Sequence, residues 1–226
     1  MKNNEVLQRE IQEAIKFEPM LHAAEIGVIV KEGIVTLNGT VDNLVKKTEA
    51  LHAAKKIKGV AAIVDEIEVK IDSTLVFSDQ DIAAKIVKKL KENLIVPQNT
   101  ISLTVEKGSV TAEGIVPWNF QRETALDIIR NQAGVRDVTN NIKLKRELYD
   151  QAEKEILEKA LRRHWAFDMD EIDIQVAGAT VQLSGTVGSI FQKEEAERIA
   201  YKTPGVIKVV NHLKVDLEQP ICVKIR

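Results

Sequence analysis

Four histidines, one cysteine and two knots of basic side chains are the residues with which this 226-residue chain could do chemistry. A metal would need imidazoles, thiolates or carboxylates recurring at ligand spacing. His22, His52, His164 and His212 share no such spacing, and one thiol cannot build a thiolate site. No metal and no cofactor is expected. Covalent catalysis would need a nucleophile beside a base, yet there is no nucleophile elbow, no phosphate loop of the Walker kind and no serine or acid recurring with a histidine. Asp65 and Glu66 are neighbours in a strand-like run, so their carboxylates face opposite ways and cannot act as a pair. Cys222 stands near the end of the chain, where a spare thiol is the expectation. The reading is of a protein that binds and does not catalyse.

The basic knots are more informative. Lys159, Arg162, Arg163 and His164 run up to Trp165, and Lys85, Lys88, Lys89 and Lys91 crowd another helical stretch. Cations beside an amphipathic ring suit the headgroup region of an anionic membrane, where each basic residue contributes about 1 kcal/mol near the surface. The plainer reading is a ring capping a small core, cations complementing a helix C-terminus and lysines on a solvated face. Lys159, Arg162, Arg163, Trp165, Lys85, Lys88 and Lys89 are the candidate membrane-surface residues.

These side chains must be positioned by something, and the glycines show what. Gly39, Gly114 and Gly185 are each followed 20 residues later by another glycine, Gly59, Gly134 and Gly205. Offsets of 75 and then 71 residues also carry Ile26 to Ile101 to Ile172. One supersecondary unit is therefore written three times, ungapped from its first strand onward. Units of roughly 70 residues contribute only about 3–5 kcal/mol of stability alone, so packed units are expected rather than loose beads.

Within a unit, Val6, Leu7, Ile11, Ala14 and Ile15 recur at helical spacing, echoed by Ile82, Ile86, Val87 and Leu90 and by Ile156, Leu157, Ala160 and Leu161. Ser78-Asp79-Gln80-Asp81 reads as a helix start. Two alternating runs follow, separated by a turn short enough for a hairpin. Glu32-Gly33 and Lys107-Gly108 suit a type I′ turn, and Gly178-Ala179 a type II′ turn. Thr36, Asn38, Thr40, Ser109, Thr111, Glu113, Gln182, Ser184 and Thr186 share the wet side of the second strand. A second amphipathic helix follows, ended by Gly59, Gly134 or Gly205 as its C-cap, and then a strand beginning Val60, Val135 or Val206. The expected fold is α+β: three tandem αββαβ units, each a three-stranded mixed sheet with two helices on one face. The expected divisions are 1–72, 73–146 and 147–217, with a tail at 218–226. Phe120 aligns with Val45 and Phe191, and Phe167 with Leu21 and Val96, so both are expected in cores. Trp118 aligns with Asn43 and Ser189, and Trp165 with Pro19 and Leu94, so at the tryptophans the copies differ most.

The run Val-x-Leu-x-Gly-x-Val at Val35 to Val41 and at Val181 to Val187, followed by a helix, Gly-Val and an Asn-bearing strand, resembles the BON domain family, named for bacterial osmotically inducible and nodulation proteins. The matching landmarks are Gly39, Gly59 and Val60; Gly114, Gly134, Val135 and Asn140; and Gly185, Gly205, Val206 and Asn211. They cover roughly residues 3 to 216. The first copy carries Asp65 where the others have asparagine, and Ala112 replaces the strand leucine of the second. The resemblance implies a non-enzymatic tandem module associated with phospholipid surfaces, envelope integrity and osmotic stress.

A formal net charge of −2, with 29% charged residues, argues against a general nucleic-acid binder, which needs a basic field to displace counterions. No run approaches the roughly 18 apolar residues of a membrane span. Met1-Lys2-Asn3-Asn4-Glu5 leads into a charged helix without the apolar run of a secretory signal, so a cytoplasmic location is expected, although many members of the resembled family carry such a signal. The functional expectation is peripheral binding to an anionic phospholipid surface. The competing expectations are a stress-related protein scaffold or holdase working through sheet edges and, with no coordinating cluster behind it, an ion or small-ligand sensor.

Overall fold

The computed structural model describes residues 3–21, 26–70, 77–145, 154–164, 171–203 and 205–216. The first copy comprises α1 (Asn4–Phe17), β1 (Ile26–Lys31), β2 (Ile34–Val41), α2 (Leu44–Lys55) and β3 (Ala62–Val69). The second comprises α3 (Asp79–Glu92), β4 (Ile101–Glu106), β5 (Ser109–Val116), α4 (Asn119–Arg130) and β6 (Asp137–Leu144). The third comprises α5 (Lys154–Arg162), β7 (Ile172–Ala177), β8 (Thr180–Val187), α6 (Ile190–Lys202), β9 (Lys208–Asn211) and β10 (Lys214–Val215). The αββαβ order of the sequence pattern is present three times.

In each copy the hairpin partners are antiparallel, and the middle strand is flanked on its other side by the last strand. That last pairing is parallel in the second and third copies. A parallel neighbour needs a crossover, and the second helix of the unit supplies it. In the third copy the last strand is broken at His212 and Leu213, so β9 and β10 pair in succession with β8. Asn211 sits at the break: its amide oxygen accepts the Leu213 N–H at 3.2 Å, while its NH2 donates to the Lys193 carbonyl at 2.9 Å. Asn140 makes the matching bond to the Ile142 N–H at 3.0 Å.

The alternation read in the middle strands holds. Val35, Leu37 and Val41, Val110, Ala112 and Val116, and Val181, Leu183 and Val187 are buried, while the polar residues between them are partly or fully exposed. The helices cover the aliphatic face with Leu7, Ile11 and Ile15, with Ile82, Ile86 and Leu90, and with Leu157 and Leu161. The residues form two compact units. One takes in 1–39, 49–66 and 151–226, uniting much of the first copy with the third; the other takes in 40–48 and 67–150. In the latter, Leu44 and Val69 of the first copy join the core of the second around Ile86, Leu126 and Ile129.

The hairpin turns follow their glycines. Glu32 and Gly33 both have positive φ (52° and 77°), as do Lys107 and Gly108 (52° and 80°), the mark of a type I′ turn; in the third copy Gly178 alone is positive at 58°. Each turn is tied to the last strand of its copy, because Ala61, Arg136 and Ile207 donate N–H bonds of 2.8–2.9 Å to the carbonyls of Gly33, Gly108 and Ala179. Gly114 and Gly185 are demanded by close approach: a Cβ there would lie 2.1 Å from the Thr100 carbonyl oxygen and 2.0 Å from that of Glu171.

Two expectations are corrected. Gly59, Gly134 and Gly205 do not cap the second helices, which end at Lys55, Arg130 and Lys202. In the second copy an extra turn intervenes, closed by the Val135 N–H on the Gln132 carbonyl at 3.2 Å, and Gly134 occupies its third position with φ 97°, where a type II turn needs glycine. Phe120 is not a core residue. It stands at the first turn of α4 and is 52% exposed; Val45 and Phe191 at the same register are also not fully buried, because this position lies on the flank of the helix rather than over the sheet. Leu21 and Val96 are buried as expected, and Phe167 at their register lies outside the described residues.

Candidate functional site

The candidate basic residues sit on the first helix of the second and third copies, and that helix is set by its caps and its apolar stripe. Ser78 opens α3: its hydroxyl oxygen accepts the Asp81 N–H at 3.1 Å, and its own hydroxyl and N–H donate to the Asp81 carboxylate at 2.6 and 3.4 Å. This reciprocal capping holds the Asp81 carboxyl below its usual range. Asp79, one residue into the helix, accepts the N–H groups of Lys107 and Gly108 at 2.8 and 2.9 Å, pinning the hairpin turn to the helix. In the first copy Asn4 does the same for the Glu32 N–H at 3.1 Å. Asp150 holds this register in the third copy and lies outside the described residues.

With Ile82, Ile86 and Leu90 turned into the core, Lys85, Lys88 and Lys89 are all exposed. The Lys85 ammonium lies 4.9 Å from the centroid of the Phe77 ring. Lys88 approaches Glu92 at 3.9 Å, a solvated pair that leaves its charge available to a partner. Lys159 and Arg162 on α5, and Arg163 in the turn just after it, are likewise exposed, with Lys159 reaching Glu155 at 3.6 Å. Trp165 lies outside the described residues. The six candidate glycines all have positive φ and act through the backbone, Gly114 and Gly185 at a close approach to a carbonyl and Gly134 in the turn after α4.

Sequence reasoning missed the apolar residues beside these cations. Just past the C-terminal end of α3, Leu94 is fully exposed and Ile95 about half so, and Val87 in the helix is 39% exposed. The Asn93 side-chain oxygen accepts the N–H groups of Ile95 and Val96 at 2.8 and 3.1 Å, holding a turn from which Val96 enters the core while Leu94 stays outside. At the corresponding end of α1, Phe17 is 87% exposed, Met20 is also exposed, and Lys16 stands in the last turn. The signal was present in the register: Met20 aligns with Ile95, and Leu94 with Trp165. The aligned residues differ in identity, but apolar side chains recur at the same helix end. The first and second copies thus place cations and large apolar groups at the end of the first helix, and in the third copy the sequence puts Trp165 at the same register.

A second cluster lies between the first and third copies. His52 of α2 meets Phe191 of α6 with ring centroids 5.3 Å apart, tilted by 56°, and Lys55 pairs with Glu194 at 2.7 Å. The buried Glu195 carboxylate is bound by the Arg198 guanidinium and lies 3.4 Å from His164. The Arg198 hydrogen bonds hold that carboxyl below its usual range against the opposing effect of burial. Among the described residues no group of three His, Cys, Asp or Glu side chains could hold a metal ion, and no helix is long and apolar enough to cross a membrane.

A family model described as "BON domain" matches residues 3–71, 78–146 and 150–216. "Osmotically-inducible protein Y" of Escherichia coli (strain K12) is 26% identical over 147 residues, covering 63% of this chain and 73% of that protein. Two solved structures of CdsD, a structural protein of the type III secretion system of Chlamydia trachomatis, also match. The first, its C-terminal domain, is 15% identical and covers 96% of this chain and 100% of that one; the second is 16% identical and covers 93% and 92%. Both have a TM-score of 0.25.

Proposed function

The chain belongs to the BON domain family, with three domains in tandem, and from that membership we propose that it is a non-enzymatic, stress-related binding module whose ligand is an anionic phospholipid surface. The osmotic-stress name of its Escherichia coli relative supports the first half of this reading. One observation carries the second half: at the end of α3, exposed Lys88, Lys89 and Lys91 stand beside exposed Val87, Leu94 and Ile95. Cations attract the polypeptide to anionic headgroups, and apolar tips then bury themselves at the acyl boundary. The recurrence of Phe17 and Met20 at the end of α1 supplies a second contact of the same kind, and linked contacts raise avidity when both can engage.

Co-sedimentation of the full chain with vesicles of phosphatidylglycerol mixed into phosphatidylcholine, and of phosphatidylcholine alone, tests this. Binding to the anionic vesicles only is expected. Replacing Lys85, Lys88 and Lys89 together by glutamate removes about 3 kcal/mol of attraction at low salt, so a loss of about a hundredfold is expected. Absence from both pellets, or equal binding by the charge-reversed chain, overturns the reading. A protein scaffold working through sheet edges is less well supported, because β6, an edge strand, carries Asp137, Asn140, Asn141 and Lys143 on its exposed positions, the pattern that discourages strand addition.

A further inference from the structure

The contact between α2 and α6 joins copies that are not neighbours in sequence, and its chemistry is unlike that of the cores. His52 is half-buried with its ring against Phe191, and the Lys55–Glu194 pair closes the side of the contact. Lys58 reaches the start of the third copy's second helix, its Cε 3.2 Å from where a Cβ on Gly188 would stand. His52, Phe191 and Glu194 line one cleft of about 470 Å3 with His164, Glu195 and Arg198. We propose that this contact is an acid-released clasp between the first and third copies, in which a neutral His52 ring packs on Phe191 and a protonated one parts from it.

The charges around His52 set the direction. On its own helix it faces Lys55, Lys56 and Glu49; from α6 it faces Glu194, with Glu195 and Arg198 in the same cleft; from the end of α5 it faces His164. Burial is the main cause that lowers the imidazole pKa from 6.5, and Lys56 and Lys55 act in the same direction. Glu49 and Glu194 oppose them and do not prevail. The closed clasp therefore favours the neutral ring. Its stability is complete above the ordinary imidazole value near 6.5 and is lost as the pH falls from there toward the lowered value.

The test uses the full chain with Cys222→Ser and spin labels at Lys31→Cys and Gln175→Cys, exposed strand positions in the first and third copies. A narrow label-to-label distance distribution is expected at pH 7.5 and a longer, broader one at pH 5.0. With His52→Gln, which packs without taking a proton, the narrow distribution should persist at both values. With Glu194→Lys, which sets two lysines against each other, the broad one should appear at both. An unchanged distribution in the parent chain, the same acid response in His52→Gln, or a closed Glu194→Lys variant overturns the proposal. Proton NMR of the parent chain provides an independent check, since the His52 ring must titrate over the pH range in which the distance changes; a mismatch also overturns it.

Discussion

Replacing Asp79 by alanine tests whether the first helix and the hairpin of a copy are held together by a carboxylate bridge. The two bonds, 2.8 Å from the Lys107 N–H and 2.9 Å from the Gly108 N–H, join residues 28 and 29 positions apart. Hydrogen bonds to charged groups contribute about 1.5–3 kcal/mol each where water is excluded. The amide of Lys107 is exposed and rehydrates in the variant, whereas Gly108 is buried, so most of the loss comes from one bond. The carboxylate also lies in the first turn of α3, where a negative charge contributes about 0.3–1 kcal/mol. A loss of about 2 kcal/mol follows for Asp79→Ala, about half that for Asp79→Asn, and about 0.5–1 kcal/mol for Asn4→Ala, which deletes a single neutral bond. Urea unfolding of the full chain followed by far-ultraviolet circular dichroism reads every copy, and Trp118 fluorescence in a Trp165→Phe background isolates the second. Amide exchange at Gly108 reports the bridge itself. A cost of Asp79→Ala no greater than that of Asn4→Ala, or an Asp79→Asn cost equal to that of Asp79→Ala, rules out the carboxylate bridge.

Other perturbations probe the glycines, the buried carboxylate and the apolar tip. Gly185→Ala forces a Cβ to within 2.0 Å of the Glu171 carbonyl oxygen at φ 118° and should cost about 3 kcal/mol, while Gly178→Ala, with nothing within 4 Å and φ 58°, should cost about 1 kcal/mol in the same thermal melts. Because the Glu195 carboxyl is lowered from 4.5, its contribution is complete above that value and is lost as the pH falls through the folded-state value. Glu195→Gln should therefore destabilise the chain at neutral pH and flatten the acid limb of a stability-versus-pH profile below about 4.5; an unchanged limb counts against the assignment. Leu94→Ser touches no core and should change stability by less than about 0.5 kcal/mol, yet weaken vesicle binding severalfold; equal binding would remove Leu94 from the site.

Composition and periodicity were sufficient for the copy count, the αββαβ order, the wet and dry faces of the middle strands and the turn types. All of these are local: alternation at Val35, Leu37 and Val41, helical spacing at Ile82, Ile86 and Leu90, and a glycine at each positive-φ turn are read within a few residues. The candidate lysines and arginines were legible as exposed cations for the same reason. Tertiary structure alone decided that Phe120 stands outside the core, that Asp79 reaches the turn at Lys107 and Gly108, and that His52 meets Phe191 of another copy. It also decided that Leu94 remains in water, although a leucine near a helix end reads as buried from its type. A side chain's burial depends on what packs over it, and the groups that pack over these residues come from elements far away in sequence, beyond the range of any periodicity.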